Sequence, residues 1–190
     1  MEKNMKKLTI ALALVAAVCC SAENLIKNAD FQEVDGKGKL TGWRYKTQQY
    51  SLVKSEDAAD EGKQVVSAEV TVPAEGEAKT RTSVSLRQKI HLTDARKYQL
   101  TLVAKIDGTA MVNCSWIFFD EDGKKIKVKK FWTKAVKGGK DGWKTISEVL
   151  EVPEGAKSMD LLVTTSCDRK YKQEGGTSFI KQVSLAPVEE

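Results

Sequence analysis

The sequence predicts an all-β domain, an antiparallel β-sandwich, and three observations lead to this prediction. Seven segments of seven to ten residues are rich in β-branched or aromatic residues, and most alternate polar with apolar positions. Clusters of Gly, Asp and Pro separate these segments. No segment shows a sustained helical period with capping residues. Eight to ten short strands in one chain are typical of a β-sandwich.

The predicted strands follow one another between residues 43 and 185. Two short candidates come first, at 43–46 and 50–53. Seven clearer strands follow, at 64–70, 83–90, 98–106, 112–120, 143–152, 158–165 and 177–185. Dipeptides such as Asp107-Gly108 and Gly175-Gly176 are expected to form the turns between them.

The strand 83–90 shows most clearly how one face differs from the other. Its apolar residues are expected in the core, and they are Val84, Leu86 and Ile90. Its opposite face carries Ser85, Arg87 and Lys89. Because successive side chains of a strand point to opposite faces, these polar residues are expected on an outer sheet surface, where a ligand could lie.

Residues 1–22 are predicted to be a secretory signal peptide. Lys3, Lys6 and Lys7 give a basic start, an eleven-residue apolar run follows at 8–18, and Ser21-Ala22 offers a cleavage site. The run is too short to span a bilayer and no later run is longer, so no transmembrane helix is expected. The remaining residues, 23–190, are predicted to form a single domain. The protein is therefore expected to be secreted or periplasmic.

The four cysteines leave two alternatives open. Cys19 or Cys20 could carry a lipid that anchors the protein to a membrane, although Val18 is a poor match to the small residue expected before a lipidated cysteine. Cys114 and Cys167 could form one disulfide in an exported chain, or remain two buried thiols. The thiols are preferred, because the sequence does not show that the two Cα atoms come within about 7 Å.

Composition argues against several classes of function. A net charge of +5 is too mild to indicate nucleic-acid binding. His91 is the only histidine, which disfavours Ser-His-Asp hydrolysis and His-ligated metal sites. The acidic cluster 120–123 is interpreted as a hairpin turn, because Phe131 stands where a calcium loop needs its twelfth-position glutamate. No pair of carboxylates is singled out for glycosidase chemistry, so the protein is not expected to be an enzyme.

Charge is concentrated in one segment. Nine lysines and one acidic residue lie between residues 124 and 144. One interpretation is a solvated strand edge, since lysines on edges block unwanted strand pairing. The alternative is a basic patch for an anionic polysaccharide or a membrane surface.

Short motifs occur in a fixed order between about residues 24 and 186. They are Asn24-Leu-Ile-Lys-Asn-Ala-Asp-Phe31, Gly42-Trp43, Leu86-Arg-Gln-Lys-Ile90, Tyr98-Gln-Leu-Thr-Leu102, Gly142-Trp-Lys-Thr-Ile146, Val152-Pro-Glu-Gly-Ala156 and Phe179-Ile-Lys-Gln-Val-Ser-Leu185. In this ordered set the chain resembles jelly-roll carbohydrate-binding modules of the family 4 and 9 type, which are galactose-binding-like β-sandwiches. The resemblance implies a jelly roll and a non-catalytic module whose ligand is a neutral or anionic polysaccharide or glycan.

The resemblance also raises the question of a structural calcium ion. Such modules often hold calcium with an acid after the opening phenylalanine and with acids in the last strand. Here Gln32 and Lys181-Gln182 occupy those positions, with Glu33 next to the first. Calcium prefers six to eight oxygen ligands, carboxylates among them. This calcium site is therefore expected to be absent or weak, and no other cofactor is expected.

Sugar binding needs a flat apolar surface beside hydrogen-bonding groups, and Trp and Tyr provide such surfaces. Trp132 is the main platform candidate, because it or the neighbouring Phe131 should be exposed in a lysine-rich connection. Trp116 lies mid-strand, where either the core or the outer face is open to it. Tyr171 is a further ligand-binding candidate, with an ordinary surface tyrosine as the alternative.

Polar candidates come from the strand 83–90. Arg87 and Gln88 are predicted to bind the ligand, and Gln88 has the alternative of a buried bond to the backbone.

A second function remains open, namely a structural or adhesion β-sandwich that contacts a protein or the cell surface without a sugar site. A sugar-binding module should expose at least two aromatic residues on one face or loop rim. A structural module should bury Trp43, Trp116 and Trp143.

Overall fold

The computed structural model describes residues 23–45, 50–57, 61–138 and 142–188, and these described residues form ten strands and no α-helix. The strands are β1 (Ser51–Lys54), β2 (Gln64–Thr71), β3 (Arg81–His91), β4 (Lys97–Gly108), β5 (Met111–Phe119), β6 (Lys125–Ile126), β7 (Val136–Lys137), β8 (Lys144–Glu151), β9 (Ser158–Asp168) and β10 (Gly175–Pro187). A 3₁₀ turn, Arg169–Tyr171, follows β9. The predicted all-β fold is confirmed. The predicted signal peptide, with Cys19 and Cys20, lies outside the described residues.

Two antiparallel sheets form the sandwich. Sheet I has the strand order β1–β2–β10–β4–β8. Sheet II has the order β3–β9–β5–β6, and β7 also pairs with β5. Most neighbours within each sheet are far apart in sequence, as in a jelly roll, although β1–β2 and β5–β6 are consecutive, so the strand order could not follow from hairpin turns alone.

The core lies between the two sheets and follows a period of two most clearly in β3, β4 and β5. In β4 the buried residues alternate from Tyr98 to Ile106, and in β5 from Val112 to Phe118. In β3 the predicted core residues Val84, Leu86 and Ile90 are buried, which confirms that face. In these three strands, the residues between the buried ones face outward from the sandwich. The outer surface of sheet II carries the candidate site.

The seven longer predicted strands are all present, with ends that shift by a few residues. Arg44, in the short candidate 43–46, makes an isolated bridge to Arg87, and residue 46 lies outside the described part. The sequence did not predict β6 and β7, which are two-residue pairings at the edge of β5.

The expected turn at Gly175-Gly176 is wrong, because these residues begin β10, where Gly175 pairs with β2 and Gly176 pairs with both β2 and β4. A Cβ on Gly175 would lie 2.6 Å from the Val70 carbonyl oxygen, and one on Gly108 would lie 2.7 Å from the Gly175 carbonyl oxygen. The glycines allow three backbones to approach closely at this end of sheet I.

Two glutamine side chains bind the N-terminal segment to the sandwich. Gln88 accepts from Lys27 N at 2.9 Å and donates to Lys27 O at 3.0 Å. Gln32 in the same way accepts from Gln64 N at 3.0 Å and donates to Gln64 O at 2.9 Å. Each amide thus imitates a strand pairing. In the part of the chain that the structure describes, no helix has the length and apolar character needed to cross a membrane.

Candidate functional site

One cross-strand row on the outer face of sheet II connects two of the predicted site residues. Arg87 is paired with Leu162, Leu162 with Ser115, and Ser115 with Trp132. On the other side Arg87 is bridged to Arg44. Paired residues of antiparallel strands share a face of the sheet. We call these five residues the central row. Strand spacing gives about 14 Å from the Arg87 backbone to the Trp132 backbone.

The residues between the two ends of the central row, and in the rows beside it, are mostly small or polar. One flanking row is Ser85, Thr164 and Asn113, and the other is Lys89, Asp160 and Ile117. Ser85 and Thr164 hydroxyls lie 2.8 Å apart and bond each other. These three rows therefore offer hydroxyl, amide and guanidinium groups, with Leu162 and Ile117 as the aliphatic residues among them.

Trp132 and Phe131 form an exposed aromatic pair at the edge of sheet II. Trp132 is 47% exposed and Phe131 48% exposed, and their ring centroids are 4.5 Å apart in an edge-to-face arrangement. One of the two residues was expected to be exposed, and both are. Trp132 also lines a groove of about 590 Å³ with Lys130, Lys134 and residues 145–148 of β8. The two rings are therefore open to solvent, and Trp132 also faces the groove next to β8.

Glu148 of β8 holds the segment that carries Trp132. Its carboxylate accepts a hydrogen bond from the Lys130 ammonium at 2.7 Å and one from Lys134 N at 3.3 Å. The hydrogen bond from Lys130 lowers the pKa of Glu148 below its ordinary value, with a smaller contribution from the Lys134 backbone. Glu148 thereby connects the edge of sheet I to the aromatic pair on sheet II.

The guanidinium of Arg87 is held by a buried partner. Arg87 Nη2 donates to Asp160 Oδ2, and the Asp160 side chain is 6% exposed while that of Arg87 is 49% exposed. A buried carboxylate needs such a partner to offset its desolvation. The pairing fixes the direction of the guanidinium and still leaves half of the side chain open to solvent.

The other three predicted site residues are not part of this surface. Trp116 is 4% exposed and lies in the core, because its position on β5 has the same parity as Cys114 and Phe118. Gln88 is 3% exposed, and its amide binds the Lys27 backbone. Both are therefore structural in this fold.

Tyr171 is exposed but distant from the central row. It is 63% exposed, in the 3₁₀ turn after β9. Asp168, at the end of β9, is the sixth residue after Leu162, which places the turn about 20 Å along the strand from the central row.

The region where the resemblance implied a calcium ion is occupied by hydrogen bonds within the chain. The Gln32 amide bonds the backbone of Gln64 and donates to Asp30 O at 2.6 Å. Among the described residues, no group of three His, Cys, Asp or Glu side chains converges on a point that could hold a metal ion. The Gln32 amide, whose oxygen would have to face a cation, already bonds the backbone of Gln64.

A second aromatic surface lies on sheet I. Trp143 and Phe179 line a cavity of about 570 Å³. The Lys181 ammonium lies 5.5 Å from the Trp143 ring, and the Lys105 ammonium lies 5.5 Å from the Phe179 ring. A cation above a ring takes up the face on which a sugar would stack. The exposed pair on sheet II is therefore the better aromatic platform.

Sequence reasoning missed Arg44, Ser115 and Glu148. Arg44 lies in a segment whose pairing with β3 is a single bridge, and Glu148 is one of many acidic residues on predicted strands. Ser115 could have been placed on the outer face only if the burial of Trp116 had been known. All three depend on pairings between distant parts of the chain.

The fold is that of jelly-roll carbohydrate-binding modules, which confirms the resemblance at the level of the fold. A family 61 module solved with β-1,4-galactotriose is 17% identical; the match covers 88% of this chain and 100% of that one, with a TM-score of 0.55. The CBM22-1 xylan-binding domain of Xyn10C from Paenibacillus barcinonensis is 13% identical over 89% of this chain and 97% of that one, with a TM-score of 0.55.

A family 4 module is also similar, at 15% identity over 86% of this chain and 99% of that one, with a TM-score of 0.51. The predicted family 4 and 9 type is thus matched in part, since families 61 and 22 are equally similar in fold. No family model matches the chain, and no curated protein matches it in sequence.

Proposed function

We propose that this protein is a carbohydrate-binding module that binds a polysaccharide or oligosaccharide on the outer face of sheet II. One observation carries the proposal: the central row places the exposed Trp132 and the half-exposed Arg87 on one face, with Leu162 and Ser115 between them and a row of small polar residues beside them. An exposed indole beside directional polar groups is the combination that a sugar ring needs.

The proposed mechanism is non-covalent. The Trp132 ring stacks on the C–H face of a sugar, and hydroxyls along the chain bond to Ser85, Asn113 and Arg87. Because one indole supplies most of the apolar contact, we expect affinities in the micromolar to millimolar range. The solved neighbours with galactotriose or xylan as ligands have the same fold and support a saccharide as the ligand class.

The module is proposed to be non-catalytic. Glycoside hydrolysis needs two carboxyl groups on opposite sides of the bond that breaks. Within the central row and the two rows beside it, Asp160 is the one carboxylate, and it is bonded to Arg87. We also propose that the protein is exported, on the basis of the basic and apolar pattern of residues 1–22.

The test is calorimetric titration of the folded mature chain with galactan, xylan and glucan oligosaccharides. Trp132→Ala should weaken binding by about tenfold or more, because it removes the platform. Tyr171→Ala is the matched control, since it removes an exposed aromatic residue far from the central row and should leave binding unchanged. Equal affinity in the Trp132→Ala variant would show that the site lies elsewhere.

The structural or adhesion module is the second candidate. The burial of Trp43 at 6% and Trp116 at 4% is what this alternative expects, whereas Trp143 is half-buried. Exposure of Phe131 beside Trp132 favours sugar binding instead. A folded chain that binds no glycan at millimolar concentration would support the structural module and reject the proposal.

A further inference from the structure

We propose that the glycan bound by this site is acidic, and that Arg44 and Arg87 together clamp one of its carboxylate groups. The ligand class is a polysaccharide that contains uronic acid residues. The inference rests on the proposed function, because it concerns the same face of sheet II. Arg44 and Arg87 lie directly opposite each other across an isolated β-bridge.

The bridge between the two arginines is a full backbone pairing. Arg44 N donates to Arg87 O at 2.8 Å, and Arg87 N donates to Arg44 O at 2.9 Å. Such a pair has its Cα atoms about 5.5 Å apart, with both side chains on one face of the sheet. Like charges directly opposite each other destabilise a sheet. An anion between the two guanidiniums removes that repulsion.

The protein itself compensates only one of these charges. The carboxylate of Asp160 bonds Arg87, whereas Arg44 is exposed and makes no ion pair with any described residue. Lys89 adds a third cation in the row next to the pair. Three cationic side chains thus face one carboxylate, which is itself buried. This part of the face therefore attracts an anion.

Arginine is suited to carboxylates in particular. Its planar guanidinium offers parallel donors that match the two oxygens of a carboxylate. Asp160 uses Nη2 of Arg87 and holds the group in place, so less side-chain entropy is lost when a ligand binds the remaining donors. Arg44, on the neighbouring segment, then donates to the ligand carboxylate that Arg87 binds.

The position of the clamp agrees with a chain-like ligand. Four strand spacings separate Arg44 from Trp132 along the central row, about 19 Å. A monosaccharide is too small to reach both ends, but an oligosaccharide of several residues reaches the arginines with a carboxylate while another residue stacks on Trp132. Lys134 beside the aromatic pair adds a further cation at that end.

The experiment compares two forms of one polymer. Oligogalacturonates of one defined length are titrated into the protein at neutral pH in two forms. The acid form carries a charged carboxylate on each sugar, and the full methyl ester has the same sugar backbone without those charges. We expect the acid to bind at least about fivefold more tightly, as a charge-assisted hydrogen bond at a partly exposed site allows. Arg44→Gln should remove this preference, and Arg44→Lys should restore part of it.

Arg96→Gln is the matched control, because Arg96 is an exposed arginine in the loop between β3 and β4 and its loss changes the net charge equally. It should leave the preference intact. Equal reduction by Arg96→Gln and Arg44→Gln, or equal binding of polyglutamate, would show unspecific charge attraction and overturn the clamp.

The remaining outcomes separate the two proposals. If acid and ester bind equally and both need Trp132, the sugar site stands and the clamp is wrong. If neither form nor any neutral glycan binds to the folded protein, the proposed function fails and the clamp fails with it.

Discussion

Single side chains in this protein hold distant segments through paired hydrogen bonds. Gln88 is the clearest example, because both atoms of its buried amide bond the backbone of Lys27. The same amide also lies close to Gly42, two residues before Arg44, because a Cβ on Gly42 would lie 3.4 Å from Gln88 Nε2. A residue predicted to bind ligand therefore supports the site from behind the sheet.

The Gln88→Glu variant tests this support at the residue scale. A carboxylate keeps the acceptor but loses the donor, and it places negative charge beside the Lys27 carbonyl oxygen. We expect the free energy of unfolding to fall by about 2 kcal/mol, the cost of an unsatisfied buried group. Urea unfolding measures this loss. Gln99→Glu, which breaks one hydrogen bond at the surface, should change stability by less than about 0.5 kcal/mol.

Arg87 and Asp160 show that a residue of the proposed site can also stabilise the fold. Arg87→Met should lower the free energy of unfolding by about 1–3 kcal/mol, because the buried carboxylate loses its partner. The double variant Arg87→Met/Asp160→Asn should regain much of that loss, since an amide costs less to bury. Thermal unfolding of the single and double variants decides this. No recovery in the double variant would mean that Arg87 stabilises through packing instead.

At the scale of elements, the aromatic pair depends on contact between two sheet edges. Residues 130–134 run beside β5, through bonds from Trp116 N to Phe131 O at 3.0 Å and from Thr133 N to Cys114 O at 2.9 Å. Glu148 joins the same segment to β8. The segment that carries Trp132 is therefore held by hydrogen bonds from both sheets.

The hydrogen bonds of Glu148 predict that the surroundings of Trp132 change with pH. Its pKa is lowered in the folded protein from an ordinary value of 4.5, so its contribution to stability is present above that pH and is lost as pH falls through the lower folded pKa. The Trp132 emission, obtained as the difference between the parent chain and Trp132→Phe, should change at pH values below 4.5. Glu148→Gln should abolish this change.

Glu151→Gln serves as the control for that titration, because Glu151 is an exposed residue of the same strand. The transition should persist in this variant. A transition that persists in Glu148→Gln would assign the titration to another carboxyl group.

At the scale of the whole molecule, the sandwich separates its two cysteines. Cys114 lies opposite Val163 of β9, and Cys167 lies four residues further along β9. That is about 13 Å of strand, whereas a disulfide needs Cα atoms within about 7 Å. Both cysteines are free and buried in the structure. No disulfide therefore joins Cys114 to Cys167 in the folded core.

We expect Cys114 and Cys167 to be free thiols, neither of them reactive in the native state. Burial raises the pKa of Cys114 to about 12 and also raises that of Cys167, which suppresses the reactive thiolate. A thiol reagent should label both residues in denaturant and neither without it, and a reductant should leave the midpoint of unfolding unchanged. Absence of labelling in denaturant would establish a disulfide and contradict this arrangement.

Local sequence pattern predicted the longer strands and the faces of some of them. The period of two in β3 identified Val84, Leu86 and Ile90 as core, because side-chain alternation is a local property of a strand. It also indicated an exposed aromatic residue at 131–132, since a lysine-rich segment cannot bury both rings. These conclusions need no knowledge of which strands are neighbours.

Which residues meet across the sheets depends on the tertiary fold. The parity of β5 left Trp116 open to either face, and its burial follows from the register of β5 on β9. The central row joins residues 44, 87, 162, 115 and 132, whose order across the sheet differs from their order in the chain. Register is set by packing and hydrogen bonds between distant segments, and local alternation carries no information about it.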